Sequence, residues 1–374
     1  MPDQSPPATA PDDAFGADLY RLLSEQAPDT VFSPLSVASV LQMALCGARG
    51  QTAAELAGAL HLDGSPDTAA AALRTLSALV ANVTADGTVT FRAPAAVWVQ
   101  AGLPLRPDFT SQLGEAVAET DFAGAPQQAR EQINRVVAEQ TEQKITGLLP
   151  SRAIDDRTRL VLTSAIYLKA GWAQTFPAHA TAEAPFYPDG PDRPSRTVRI
   201  MHSTAARMYV RGDGYQAVLL PYRGGNLAMA VVLPDGPLAA LTPAIAAGGM
   251  RGLLSGTTRF EVTLALPRFR LETGFDLIPV LTRLGVRQAF TDQADFSGIT
   301  EATRLLINAI AHKAYIDVDE QGTEAAAATA VTFRPTAAFR APEPVTMTVD
   351  RPFLFAIWYA PAGLPLFLGQ VSHP

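Results

Sequence analysis

Glu320-Gln321-Gly322-Thr323-Glu324-Ala325-Ala326-Ala327-Ala328-Thr329-Ala330-Val331-Thr332 is the stretch on which the fold turns, together with the irregular segment 333–344 that follows it. Ala is the best helix former, so residues 324–328 favour helix on propensity. Gly322 and the surrounding Thr and Val residues weaken that reading, and no apolar stripe is present to bury. With a period of two the stretch reads differently. Thr323, Ala325, Ala327, Thr329, Val331 and Phe333 fall on one face of an extended strand. Glu324, Ala326, Ala328, Ala330, Thr332 and Arg334 fall on the other. The first face is small and uncharged, as a segment that slides between two existing strands requires. Taken alone, the stretch still admits an Ala-rich linker or helix.

The chain around it has 374 residues, 48% hydrophobic and 17% charged, which is a core-forming composition. Length alone suggests two or three domains. A net charge of -7 supplies no basic footprint, so no nucleic-acid partner is expected. No apolar run reaches the length of a membrane span, so no membrane is expected either. The first ten residues are rich in Pro and polar groups and lack the charged and apolar regions of a signal peptide. Residues 1–13 are expected to form a disordered tail, and a cytoplasmic location is favoured over an extracellular one.

Cys46 is the single cysteine, which excludes an internal disulfide. It lies in an apolar helical run and reads as a buried, inert thiol. None of His61, His179, His202, His312 and His373 is spaced with another His or with Cys46 as a local metal pair. There is no Gly-x-Ser-x-Gly elbow, phosphate loop or zinc motif. No metal, cofactor or catalytic residue is expected, and no nucleophile–base constellation argues for an enzyme.

Helical patterns dominate the first half and strand patterns the second. Residues 14–26 form an amphipathic helix with Phe15, Leu19, Leu22 and Leu23 on one stripe. A short strand at Val31-Phe32 precedes a helix opened by Ser33 as N-cap and Pro34 at the first position. Thr52-Ala53-Ala54-Glu55 reads as a capping box for the next helix. Further helices are expected at 68–80, 107–113, 127–142 and 276–284. Residues 89–100 and 115–122 read as strands. The near-continuous apolar run 160–168 fits a buried central strand. Beyond it, strands are expected at 198–201, 208–210, 216–221, 227–233, 259–266, 305–318, 353–359 and 366–371. No repeat or linker divides the chain, which argues for one α+β domain over residues 14–374.

Several segments, in order, resemble the serpin family of serine protease inhibitors across nearly the whole chain. They include Phe32-Ser33-Pro34-Leu35-Ser36, Lys144-Ile145-Thr146-Gly147-Leu148-Leu149 and Ala165-Ile166-Tyr167-Leu168-Lys169-Ala170-Gly171-Trp172. Leu220-Pro221-Tyr222, Leu266-Pro267-Arg268-Phe269, Ala294-Asp295-Phe296-Ser297-Gly298 and His312-Lys313-Ala314 follow. The opening stretch, Asp350-Arg351-Pro352-Phe353 and Leu366-Phe367-Leu368-Gly369 close the series. The resemblance implies a single domain of three β-sheets, about nine helices and an exposed reactive-centre loop at about 319–345. It also implies a monomeric suicide-substrate inhibitor whose partner is a serine protease. The protease forms an acyl-enzyme with the loop, and the cleaved loop then inserts as a strand into the main sheet before the ester hydrolyses. The alternative within the family is a non-inhibitory member acting as a chaperone, carrier or protease substrate, whose usual mark is a disrupted hinge.

On this resemblance the hinge comprises Glu320, Gly322, Thr323, Glu324, Ala325, Ala326, Ala327, Ala328 and Thr329. Arg268 would pair with Glu320, and Trp172 would lie under the point where the loop enters, the breach. His312 would join Ser33, Ser36 and Ser164 in a hydrogen-bonded cluster, the shutter. Ser164 replaces the family's usual Asn, and Val136 replaces a usual Trp. The reactive bond is expected at Thr336-Ala337, with Phe333-Arg334, Phe339-Arg340 and Arg340-Ala341 as alternatives. A small β-branched residue after Pro335 suits an elastase-like or subtilisin-like target with a shallow specificity pocket. The energetics fit a moving strand. Roughly twenty new backbone hydrogen bonds at roughly 0.5–1.5 kcal/mol each are about cancelled by ordering the strand. Burying Val331 and Phe333 adds about 1.5–3 kcal/mol each. No Pro or charge lies on the leading inward positions to stall the front.

Overall fold

The computed structural model describes residues 13–62, 66–85, 87–190, 192–324 and 345–374. The chain opens with α1 (Asp13–Leu23), β1 (Thr30–Phe32), α2 (Pro34–Gly47), α3 (Gly50–Ala59) and α4 (Pro66–Thr84). Then come β2 (Val89–Arg92), β3 (Ala95–Gln100), α5 (Pro107–Leu113), β4 (Val117–Thr120), α6 (Pro126–Gln140) and β5 (Leu160–Gly171). The run β6 (Ala182–Phe186), β7 (Arg196–Gly212), β8 (Tyr215–Pro221) and β9 (Leu227–Pro234) leads to α7 (Thr242–Leu253). The remainder is β10 (Thr258–Pro267), β11 (Phe269–Asp276), α8 (Ile278–Arg283), β12 (Ala309–Val318), β13 (Gly322–Thr323), β14 (Val345–Thr348), β15 (Phe353–Tyr359) and β16 (Leu364–Val371).

Among the described residues the strands form two sheets rather than three. One has seven strands in the order β11-β12-β13-β5-β3-β4, with β2 on β5. The other has nine in the order β1-β16-β15-β9-β8-β7-β10-β14, with β6 on β7. The expected strands at 198–201 and 208–210 are one continuous strand, β7, and this merges what would be separate sheets. Its start pairs with β6, its middle with β10 and its end with β8. The described residues hold eight α-helices.

Local chemistry explains the other boundaries. Ser33 caps α2 by accepting the Ser36 N–H at 3.0 Å. The capping-box reading of Thr52 and Glu55 does not hold, because α3 begins at Gly50 with no side-chain cap. Those two side chains staple a distant segment instead. Glu55 accepts the Arg287 and Gln288 N–H groups at 2.7 Å each, and Thr52 Oγ1 accepts the Asp295 N–H at 3.0 Å. Residues 89–100 break into two strands at Ala93-Pro94, where proline has no N–H for the ladder. The strand expected from Leu305 starts at Ala309. Asn308 Oδ1 takes the N–H groups of Arg159 and Leu160, at 2.9 and 3.2 Å.

Three apolar clusters result. The largest packs α1, α2, α7 and α8 against strands of both sheets. A second fills the space between the sheets. The third lies between α6 and the outer face of β3, β5 and β12, with Trp98, Ile133, Val161, Leu149 and Tyr315 in it.

Candidate hinge and shutter

The seven-stranded sheet is nearly closed at its centre. β5 and β12 pair directly in parallel, from Ala309 opposite Val161 to Tyr315 opposite Tyr167. Above Tyr315 they part, and Gly322-Thr323 fills the gap. Thr323 lies opposite Val318 on one side and Ala170 on the other, and Gly322 lies opposite Gly171. Asp319 builds the turn that delivers them, its Oδ1 accepting the Gln321 and Gly322 N–H groups at 2.7 and 3.2 Å. Gly322 has φ 155°, and a Cβ on it would sit 2.1 Å from the Ala170 carbonyl oxygen. Only glycine fits so close a backbone approach.

Trp172 lies directly beneath this turn. Its indole N–H donates to the Asp319 carbonyl at 2.9 Å and its amide to the Gln321 carbonyl at 2.8 Å. Its ring stacks on Tyr222, with centroids 4.5 Å apart and planes at 16°. The Tyr222 and Thr323 hydroxyls are 2.5 Å apart and both residues are fully buried. Burial holds the Tyr222 phenol well above its ordinary pKa, so it stays a neutral hydrogen-bonding group.

Glu320 is only 4% exposed, which separates it from a surface ion pair. Arg268 grips it in two places, Nε and Nη2 reaching Oε1 at 2.8 and 2.6 Å and Nη2 reaching Oε2 at 2.5 Å. Thr181 donates to Oε1 at 2.5 Å. Burial alone would raise the carboxyl pKa, but the Arg268 and Thr181 hydrogen bonds outweigh it and the group titrates below its usual range. Glu324 marks where the described hinge ends. It has φ 49°, donates its N–H to the Asp317 carbonyl at 2.8 Å and pairs with Lys144 after α6. Its Oε2 is buried with no partner among the described residues. Neither the Lys144 nor the Tyr222 contact was singled out from the sequence. Both residues sit in the quoted motifs, but nothing local says that they meet the hinge. Ala325, Ala326, Ala327, Ala328, Thr329, Thr336 and Ala337, and all the alternative cleavage sites, lie outside the described residues.

The second cluster lies where β5, β12 and the start of α2 meet. His312 is fully buried and stands opposite Ser164 in the β5–β12 register. The Ser33 amide donates to Nε2 at 3.0 Å, and Nδ1 is 2.8 Å from Ser164 Oγ. An N–H pointing at Nε2 makes that nitrogen the acceptor, so the proton is on Nδ1 and is donated to Ser164. Burial drives the imidazole pKa down to about 3, with the Ser164 contact opposing. Ser36 does not reach the ring. Its amide serves the Ser33 cap, and its buried Oγ has no partner among the described residues. Val136 is partly buried against the α6 cluster.

The chain matches the serpin (serine protease inhibitor) family over residues 11–374. It is 37% identical to an uncharacterized serpin-like protein of Thermococcus kodakarensis, over 99% of this chain and 87% of that relative. It is 36% identical to the leukocyte elastase inhibitor of Sus scrofa, over 96% of this chain and 97% of the inhibitor. Among solved structures, Serpin48 of the insect Tenebrio molitor, described as a highly specific serpin, superimposes with a TM-score of 0.83 at 29% identity. That match covers 97% of this chain and 96% of Serpin48. Uncleaved ovalbumin shares the fold, with a TM-score of 0.84 at 23% identity, over 96% of this chain and 98% of ovalbumin.

Proposed function

The chain belongs to the serpin family, and from that premise we propose that it is an inhibitory member. It presents its reactive-centre loop to a serine protease and traps the acyl-enzyme by inserting the cleaved loop between β5 and β12. Elastase-like or subtilisin-like enzymes are the proposed targets, with Thr336-Ala337 as the scissile bond. Three groups carry proposed roles. Glu320 with Arg268 and Trp172 anchors the base of the hinge, residues 322–329 form the moving strand, and the Ser33–His312–Ser164 cluster holds the slot closed.

The observation that carries this reading is the position of Gly322-Thr323. The two residues already occupy the slot between β5 and β12. Below them the two strands are held by their own pairing, which an incoming strand replaces. The next inward residues are small and uncharged, so the energetic obstacles to adding strand residues are absent from the sequence. The names of the elastase-inhibiting relatives agree with the small residue at 336.

The test is to mix the protein with pancreatic elastase and with subtilisin. The expected product is a covalent complex that survives SDS, formed at the Thr336-Ala337 bond. Thr323→Arg places a charge where the hinge enters the slot and converts the inhibitor into a substrate. Simple turnover of the unmodified protein by every serine protease tried rules out the inhibitory reading.

A further inference from the structure

We propose that the cleft between residues 147–153 and strands β11 and β12 binds an amphipathic organic amine, and that its occupancy slows loop insertion. The slowing rests on the inhibitory reading above; the binding does not. The cleft holds about 490 Å³, within the range of small-molecule sites. One wall is Leu148, Leu149 and Pro150; the facing wall is Phe275 and Ile310.

The two walls belong to different bodies. The first is fixed to α6, because Asn134 donates to the Leu149 carbonyl at 3.0 Å and accepts the Leu149 N–H at 2.8 Å. The same segment runs on directly into β5. The second wall is β11 and β12, which are paired antiparallel along their whole facing length. A strand inserted between β5 and β12 separates these bodies by about 4.8 Å, one strand spacing. Lys313 is the existing strut between them, donating to the Thr146 carbonyl at 2.7 Å and pairing with Glu272 at 2.7 Å. A molecule seated on both walls fits the closed sheet and loses one wall in the open one. By linkage it therefore opposes opening.

The chemistry of the occupant follows from the rim. Its charged side chains are two carboxylates, Glu272 and Asp276, against one ammonium, Lys313. Lys313 is already committed to Glu272. Asp276 is exposed and its carboxylate only caps the Ile278 N–H at 3.1 Å, so one negative charge remains to be met. The complement is a cationic head on an apolar, ring-sized body.

Tryptamine is a suitable probe. Isothermal titration into the intact protein is expected to show one site. Ala153→Trp, which fills the cleft, abolishes it, and Asp276→Asn weakens it about tenfold. At saturation, tryptamine is expected to slow formation of the SDS-stable complex about fivefold and to raise the stoichiometry of inhibition. Ala153→Trp is expected to do the same without the amine. Hydrolysis of a peptide substrate by the protease alone, unchanged by tryptamine, is the control. Absence of binding at millimolar amine, or binding that survives Ala153→Trp, overturns the site. Binding with unchanged inhibition kinetics overturns the coupling. Failure of the unmodified protein to form any SDS-stable complex removes the inhibitory reading and the coupling with it, while the calorimetry still decides the site.

Discussion

At the scale of single residues, His312 is the group most sensitive to conditions. Its pKa is about 3 in the folded chain against about 6.5 in an unfolded one. Between those values the unfolded chain binds a proton that the native chain refuses. The contribution is therefore complete above pH 6.5 and is lost as the pH falls toward 3, at up to about 1.4 kcal/mol per pH unit. Thermal midpoints taken from pH 7 to pH 5 are expected to fall, and His312→Gln is expected to flatten that slope. A slope identical in the variant assigns the effect elsewhere. From pH 7 to pH 5 this loss stands apart from that of Glu320, whose carboxyl titrates below its usual range; at lower pH the two losses overlap. Ser164 is the other half of the same contact. Ser164→Ala leaves the buried Nδ1–H of His312 without an acceptor, and is expected to cost about 1–3 kcal/mol in equilibrium urea unfolding. From the sequence, Ser164 was visible only as a departure from the family's Asn, and whether its short side chain could reach a histidine on another strand was not. The answer lies in the register that sets it opposite His312, at 2.8 Å.

At the scale of elements, the decisive feature is that β13 is two residues long. Gly322 sits against the Ala170 carbonyl where no Cβ fits. Gly322→Ala is thus expected to expel the hinge from the slot. The Glu324 amide, which donates to the Asp317 carbonyl at 2.8 Å, would then lose about tenfold or more of its native-state hydrogen-exchange protection. Unchanged protection means that the backbone can yield at Ala170. Elements with a strong period were legible in advance. Phe260, Val262, Leu264 and Leu266 alternate in the sequence, and β10 buries the last three while Phe260 is half-buried; α2 starts at the Ser33-Pro34 signal. Elements set by long-range competition were not. The length of β7 was hidden because His202 to Ala206 carries no apolar alternation, and only β10 beside it keeps it extended. The start of α3 was misread because Thr52 and Glu55 bond to backbone more than two hundred residues away. The hinge motif could be read as a strand in reserve, but its depth of entry depends on Asp319, Trp172 and Tyr222 acting together.

For the whole molecule, the question is how far the intact sheet lies from its most stable arrangement. β5 and β12 are parallel neighbours over Ala309–Tyr315 and Val161–Tyr167. A strand entering antiparallel between them would replace one parallel ladder with two antiparallel ones, which are slightly more stable per residue. The backbone terms roughly cancel against the ordering of the strand. What remains is side-chain burial, about 3–6 kcal/mol from Val331 and Phe333 together. A chain of 374 residues gains about 1.3 °C in thermal midpoint per kcal/mol. Cleavage within residues 333–344 is therefore expected to raise the midpoint by about 4–8 °C in differential scanning calorimetry, with the two fragments still associated. Thr323→Arg, cleaved at the same bond, is expected to show little of that rise, because a charge cannot stay in the buried position that Thr323 already holds between β5 and β12, and the entry point of the strand is lost. An equal rise in both proteins would mean that the added stability does not come from strand entry at the hinge. No rise in either would mean that the intact sheet is already at rest, and would favour a non-inhibitory role for this serpin.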